Sequence, residues 1–210
     1  MPDIANTDLV SLDGFKPLKL DPRTEIPRKV HYACGLNVFR GWLNLDFFDD
    51  ALIWNFGHLG GVPREVATGV YKVDLLSRHP FADNYFDHAF CEDFIEHLHQ
   101  KDAILFLSEV LRTLKPGGVL RLSTPGLEGV MKAHFHRPGL DAVVANQEAA
   151  YTRWGHVHFF TIESLSTIAL NLGFRSCHAR SFGESPYPVL AGLETRADQS
   201  GVNLYAELQN

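Results

Sequence analysis

Cysteine is scarce in this sequence, and the three that occur, Cys34, Cys91 and Cys177, lie far apart in 210 residues. An odd, scattered set without a Cys-x-x-Cys pair fits neither a disulfide-stapled secreted domain nor a zinc ribbon. We therefore expect a reducing compartment, the cytoplasm, rather than an extracellular one.

Long apolar runs and an excess of basic charge are also missing. A membrane span needs about 18 apolar residues in a row, and no run approaches that length. The N-terminus also lacks the basic and apolar blocks of a signal peptide. Lysine and arginine number 19 against 25 aspartates and glutamates, which gives a formal net charge of −6. Because a nucleic-acid surface needs clustered cations, we expect no nucleic-acid partner and no membrane span.

What the sequence does contain is an alternation of short apolar runs with helical patterns. Four prolines in residues 1–28 predict an extended N-terminal arm, and residues 29–210 are expected to form a single domain. The alternation predicts an α/β fold: a Rossmann-like, doubly wound, mostly parallel seven-stranded sheet in three αβα layers, with an antiparallel last strand. The expected strands are residues 30–33, 42–47, 70–74, 88–91, 119–123, about 176–181, and 202–208.

Two helices have clear sequence boundaries. Residues 102–114 carry apolar side chains at steps of three and four, and the stop signal KPGG follows at residues 115–118. Residues 162–172 are preceded by Thr161, a good N-cap residue, and followed by Gly173, a good C-terminal stop.

The stretch KVHYACGLNVFRGWLNLD, residues 29–46, predicts a strand, a tight turn and a second strand. Ligands of open α/β sheets bind beyond the carboxyl ends of the strands. Gly35 permits close approach of the backbone to a ligand, and Asn37 is a residue type that tolerates positive φ. Asp46 ends the second strand, where its carboxylate can accept two hydrogen bonds from ribose hydroxyls. An ordinary β-turn followed by a surface aspartate is the alternative.

The turn is too short for a dinucleotide. Residues 36–41 could supply only about 9 Å of helix at ~1.5 Å per residue, whereas a pyrophosphate binds at the N-terminus of a proper helix. A cofactor without phosphates, such as S-adenosylmethionine, does not need that helix dipole.

Four segments in order resemble class I S-adenosylmethionine-dependent methyltransferases. YACGLNVFRGWLNLD is similar to the CG…GWxNxD opening of a bacterial, methyltransferase type 11-like subgroup. The other three segments are VDLLSRHPFADNYFDHAFCEDFIEHL, LSEVLRTLKPGGVLRLSTP and HVHFFTIESLSTIALNLGF. The resemblance covers residues 29–208 and implies S-adenosylmethionine as the cofactor.

The resemblance also implies which residues bind that cofactor, in addition to Asn37. Ala33, Cys34 and Gly35 would bind the methionine moiety, and Asp46 would bind the ribose. Asp74 and Leu75 would contact the adenine, and Cys91 with Glu92 would close the site. Ala33 replaces the usual first glycine, which adds a methyl group near the cofactor.

Asp93, Glu96 and His97 would share one face if they lay on a helix. Here the chain resembles small-RNA terminal 2′-O-methyltransferases and ubiquinone-pathway O-methyltransferases, which have an acidic-x-x-Glu-His pattern. The former also have a further histidine about sixty residues on, a position matched by His156. These four residues suit a divalent cation that would bind acceptor hydroxyls. Without a metal, His97 or His156 is the candidate general base, and Glu96 completes the candidate catalytic set.

Residues 131–141 and 149–160 are expected as loops over the sheet and are rich in histidine, arginine, tyrosine and tryptophan. Such residues suit a sugar or another polyhydroxylated acceptor, and equally a homodimer interface. These two segments are expected to form the acceptor pocket, and Glu184 and Tyr187 are expected to reach it. By analogy with the resembling subgroup we expect O-methylation of a small molecule or glycan. N-methylation of a small amine and a non-catalytic binding subunit are the alternatives, and a nicotinamide dehydrogenase is a distant one.

Overall fold

The computed structural model describes residues 9–10, 18, 25–47 and 61–210. In those residues the strands are β1 Leu9–Val10, β2 Lys29–Tyr32, β3 Leu43–Asp46, β4 Val62–Pro63, β5 Val70–Lys72, β6 Phe86–Glu92, β7 Leu114–Pro125, β8 Ser176–Arg180 and β9 Asn203–Gln209. The α-helices are α1 Arg64–Gly69, α2 Gln100–Thr113, α3 Leu127–His134, α4 Leu140–Gln147 and α5 Ile162–Leu172. Short 3₁₀ turns occupy Ile95–His97 and Ala197–Gln199, and a π-helical turn occupies Glu148–Thr152.

Seven of the strands form one sheet in the order β5-β3-β2-β6-β7-β9-β8. The first five of these pair in parallel, whereas β9 runs antiparallel to both β7 and β8. This confirms the predicted Rossmann-like fold, and each of the seven expected strands overlaps a strand of the sheet. Because the strand order reverses direction at β2, the carboxyl ends of β2, β3 and β6 form a crevice where ligands of such sheets bind.

One face of the sheet is covered by α2 and α5. Phe106 and Val110 from α2, and Leu165 from α5, are completely buried in the same apolar cluster as the sheet residues. The boundaries of α5 agree with the prediction: Thr161 accepts a hydrogen bond from the backbone N–H of Ser164, and Gly173 has a left-handed φ of 110°. Local capping chemistry and the apolar stripe therefore act together to place this helix.

The opposite face, over β6 and β7, is covered by the connection between β8 and β9. Leu190 of that connection is buried against Trp42, Phe90 and Val119. Tyr187 lies over His88, near the amino end of β6, with a ring centroid separation of 6.1 Å. The expectation that Tyr187 reaches the acceptor pocket is therefore wrong, because it packs at the opposite end of the strands. The role expected for Glu184, which is exposed on the same connection, stays a prediction.

Two further segments differ from the sequence expectation. The KPGG stop does end α2, but its residues are absorbed into β7, and Gly117 takes a φ of +82° where the β6–β7 register shifts. Residues 131–141 and 149–160 are not simple loops, because α3, α4 and the π-helical turn occupy much of them. In α4, between and within these segments, the apolar Leu140 and Val144 are exposed, so the sequence offered no buried helical stripe to recognise.

The described part of the N-terminal arm pairs with the sheet edge. The backbone N–H of Leu18 donates to Val70, and Lys72 donates back to Leu18, while β1 pairs with β4. The boundary between arm and domain at residue 28 stays a prediction. In the described residues, no helix is both long and apolar enough to cross a membrane.

Arg112, on α2, holds the loop between β5 and β6, which includes Asp74 and Leu75. Its guanidinium donates to the carbonyls of His79 and Phe81 and to the carboxylates of Asp83 and Glu109, at distances from 2.6 to 2.9 Å.

We expect Arg112→Lys to lower the free energy of unfolding by about 1–3 kcal/mol, because an ammonium cannot serve these divergent acceptors together. Urea denaturation measures the change. Lys101→Met, which removes an exposed pair with Asp102, is the matched control and should cost below about 1 kcal/mol. Equal effects of the two variants would contradict the anchoring role of Arg112.

Candidate active site

The predicted cofactor residues gather at one edge of the sheet. Ala33 follows β2, Asp46 ends β3 and Glu92 ends β6. The register places Tyr32 beside both Leu45 and Cys91, so the strand ends are level. The structure therefore brings together residues that lie up to about sixty positions apart in the sequence, as parallel pairing requires.

The connection between β2 and β3, residues 33–42, contains no helix. Gly35 adopts a φ of +52°, and its backbone N–H donates to Asp46 Oδ2 at 2.7 Å. Phe47 N donates to the other carboxylate oxygen, also at 2.7 Å. Asp46 is therefore oriented by backbone donors at both carboxylate oxygens. Asn37 does not use positive φ, so that part of the expectation is wrong.

Positive φ occurs instead at Ala33, with a φ of +49°. The left-handed conformation costs an L-residue about 1–2 kcal/mol. The backbone of the next residue is tied down, because Cys34 N donates to Leu45 O at 3.0 Å. The alanine at this position is therefore held in a conformation that a glycine would adopt without strain.

We expect Ala33→Gly to raise the free energy of unfolding by about 0.5–1 kcal/mol, the relief of strain less the entropy that glycine gains when unfolded. Chemical denaturation checks this value. Ala133→Gly, in the exposed part of α3, is the control and should lower stability by about 0.5–1 kcal/mol. A loss of stability in Ala33→Gly would contradict the conclusion that the backbone at Ala33 is strained.

The remaining cofactor candidates differ in exposure. Asp74 is exposed, and its Oδ1 accepts from Leu76 N at 2.9 Å, while Leu75 is buried beside it. Cys34 and Cys91 are buried, and burial raises the pKa of both thiols far above the ordinary range. Raised pKa values keep these thiols neutral, and a neutral thiol is a poor nucleophile.

Glu92 has a partner that the sequence gave no means of finding. Thr195, 103 residues later, donates from its backbone N–H at 3.1 and 3.2 Å and from its hydroxyl at 2.7 Å to the Glu92 carboxylate. Asn37 in turn donates from its amide to the Thr195 hydroxyl at 3.3 Å. Burial raises the pKa of Glu92, and the Thr195 donors oppose that shift. No local motif marks Thr195, because its place depends on how the β8–β9 connection packs.

Asp93 does not lie on a helix with Glu96 and His97, contrary to the expectation. It has a φ of +50°, and helical structure is limited to the 3₁₀ turn Ile95–His97. The Asp93 carboxylate meets Arg196 and Asn203, each at 3.3 Å. The Asp93 carboxylate is therefore engaged by Arg196 and Asn203, and it is not one of the three residues whose donor atoms gather within 4.8 Å of one another.

Glu96, His97 and His156 do come together. One donor atom from each lies within 4.8 Å of the other two. Glu96 is completely buried, with Oε2 accepting from the Thr124 hydroxyl at 2.8 Å, while Oε1 has no hydrogen-bond partner. His97 Nε2 is 3.7 Å from that oxygen. Thr124, on β7, was missed in the sequence because it lies one residue beyond the expected strand 119–123 and no local motif marks it.

Backbone contacts orient both imidazoles. The Nδ1 atoms of His97 and His156 contact the carbonyls of Gly155 and Ala150 at 3.3 and 2.9 Å. A carbonyl can only accept, so in each neutral ring Nδ1 carries the proton and Nε2 has a free lone pair. Burial lowers the pKa of both histidines, which favours the neutral form.

The segment that carries His156 is attached to the 3₁₀ turn. Val157 N and His158 N both donate to the carbonyl of Glu96, at 2.8 and 3.2 Å. Burial raises the pKa of the Glu96 carboxyl to about 8, and Asp93 adds to the shift. The group therefore combines two lone-pair nitrogens with an unsatisfied carboxyl oxygen, an arrangement suited to taking a proton or to binding a cation.

A family model described as "Methyltransferase domain" matches residues 62–122, from β4 into β7. This match agrees with the resemblance to class I S-adenosylmethionine-dependent methyltransferases that the sequence motifs carry. No curated protein sequence matches the chain.

Solved methyltransferases share this fold at low identity. An S-adenosylmethionine-dependent methyltransferase from Mesorhizobium loti is 19% identical, with a TM-score of 0.53 over 90% of this chain and 93% of that one. A possible histamine N-methyltransferase from Thermotoga maritima is 16% identical, with a TM-score of 0.54 over 89% and 84%. Phosphoethanolamine N-methyltransferase 2 of Haemonchus contortus, in complex with S-adenosyl-L-methionine, is 14% identical, with a TM-score of 0.51 over 94% and 50%.

Proposed function

We propose that this protein is a methyltransferase that transfers the methyl group of S-adenosylmethionine to a hydroxyl of a sugar or another polyhydroxylated small molecule or glycan. The observation that carries the proposal is the group formed by Glu96, His97 and His156. A hydroxyl is a poor nucleophile until its proton is removed, and this group supplies lone-pair nitrogens for that step. It follows β6, the strand that ends at the proposed cofactor site.

The proposed reaction is an in-line displacement at the methyl carbon. The acceptor oxygen forms a bond to that carbon while the bond to the sulfonium breaks, and the sulfur leaves as a neutral thioether. A histidine Nε2 takes the hydroxyl proton, which its neutral state permits. The protein's main contribution is to align the two reactants and to remove the proton.

The cofactor is proposed to lie over Ala33, Cys34 and Gly35, with its ribose at Asp46. Support comes from the orientation of the Asp46 carboxylate by two backbone donors, which holds it in one position at the end of β3. Asp74 and Leu75 would contact the adenine, and Cys91 with Glu92 would close the site.

Asp46→Asn should weaken S-adenosylmethionine binding by about 1–3 kcal/mol, because an acceptor for the ribose hydroxyls is replaced by a donor. Isothermal titration calorimetry measures the loss. Asp87→Asn is a suitable control, since Asp87 lies at the amino end of β6 and pairs with Lys115. Unchanged affinity in Asp46→Asn would place the ribose elsewhere.

The same three residues fit a divalent cation. The unpartnered buried oxygen of Glu96 and two imidazoles are a donor set that divalent metals accept. Glu96, His97 and His156 would hold the ion, and a bound cation would act as a Lewis acid that lowers the pKa of an acceptor hydroxyl. Asp93 is not part of this proposal, because its carboxylate is engaged by Arg196 and Asn203.

His97→Ala and His156→Ala should each reduce methyl transfer by about 10²–10⁴-fold, the usual contribution of a positioned base, with cofactor affinity unchanged. Methyl-group incorporation and calorimetry give the two readouts. His178→Ala, exposed on edge strand β8, is the control. Loss of activity in chelator, with recovery on adding Mg²⁺ or Mn²⁺, would support a bound divalent cation. Full activity in chelator would exclude the cation and leave only the general-base role of the histidines.

N-methylation of a small amine is the second candidate, favoured by the names of the Thermotoga and Haemonchus proteins. Mass spectrometry on a panel of nucleotide sugars, glycans and amines distinguishes the two by which compound gains a methyl-sized mass. A homodimer through residues 131–141 and 149–160 and a cytoplasmic location are proposals that rest on composition. Failure to bind S-adenosylmethionine at millimolar concentration would instead support a non-catalytic binding subunit.

A further inference from the structure

Residues 194–196 of the β8–β9 connection make three consecutive attachments around the proposed cofactor site. Glu194 pairs with Arg121 on β7, Thr195 binds Glu92, and Arg196 meets Asp93. These attachments join the connection to the interior of β7 and to the carboxyl end of β6. Because the segment is attached at each of its three residues, it cannot shift relative to the site. The side chain of its central residue, Thr195, is therefore held in one position.

The first attachment is the strongest anchor. Arg121 Nε donates to Glu194 Oε1 at 2.6 Å, and neither side chain is exposed to solvent. Arg121 also donates to the carbonyl of Ser181, at the start of the connection. Breaking a fully buried ion pair leaves an uncompensated charge away from water, so this contact resists displacement of the segment.

Thr195 uses this anchor to hold the Glu92 carboxylate. Its backbone N–H is shared between both carboxylate oxygens, and its hydroxyl donates to one of them. The hydroxyl has one proton, which goes to Glu92, and it accepts from Asn37 on the other side of the site. The Glu92 carboxylate is thus fixed in plane, with lone pairs left over for a cationic ligand.

We propose that Thr195 is a positioning residue of the cofactor site, which holds the Glu92 carboxylate toward the cationic amino and sulfonium groups of S-adenosylmethionine. This inference rests on the proposed function, because it needs the cofactor to lie at the carboxyl ends of the strands, next to Gly35. Thr195 acts through Glu92, and it takes no part in the transfer of the methyl group.

The test compares Thr195→Val with Thr195→Ser in the full chain, by calorimetry with S-adenosylmethionine. Valine keeps the shape of threonine but removes the hydroxyl, and it should weaken binding at least tenfold. Serine restores the hydroxyl and should recover most of the affinity. Thr167→Val, at an exposed position on α5, is the matched control and should bind as wild type does.

A double-mutant cycle with Glu92→Gln shows whether Thr195 acts through Glu92. We expect Thr195→Val to add little loss once Glu92 is glutamine, whereas a full additive loss would overturn the proposal. Thermal melts are run on every variant, and Thr195→Ala replaces valine if that variant unfolds. If the wild-type protein does not bind S-adenosylmethionine, the proposed function is overturned. If the wild type binds and Thr195→Val binds equally well, only the role of Thr195 is overturned.

Discussion

The pairing of β2 with β3 on one side and β6 on the other is the constraint on which the rest of the structure depends. Val30 and Tyr32 are completely buried, and His31 is almost so, which leaves β2 without a solvent-facing side. A slip of one residue would exchange the two faces of the strand and break packing on both. The register is therefore fixed, and with it the level at which Ala33, Asp46 and Glu92 leave the sheet.

The chain bends sharply where it leaves these strands. Ala33 and Asp93 both take left-handed backbone conformations directly after β2 and β6. Each bend is held by the sheet: Cys34 N donates to Leu45 O, and Asp93 N donates to Ser123 O at 2.9 Å. Such strained positions persist when the surrounding structure over-determines them, and they concentrate at sites of function. Here they turn the backbone so that polar groups face the crevice instead of continuing the strand.

Polar groups that are remote in sequence converge on the turned backbone. The segment with His156 is tied to the carbonyl of Glu96, and the segment with Thr195 is tied to the side chain of Glu92. The two faces of the sheet are packed differently. Helices α2 and α5 form the apolar core on one face, whereas on the other the β8–β9 connection combines an apolar contact at Leu190 with the buried Arg121–Glu194 pair.

The sequence by itself determined what depends on neighbours along the chain. Apolar periodicity located the seven strands and two helices, capping residues Thr161 and Gly173 bounded α5, and the spacing of Gly35 and Asp46 marked the cofactor edge. Tertiary packing decided the rest: the partners of Asp93, the packing of Tyr187 on His88, and the contacts of Thr124 and Thr195. Periodicity and capping act over a few residues, whereas the partner of a side chain about a hundred residues away is chosen by how the loops pack on the finished sheet.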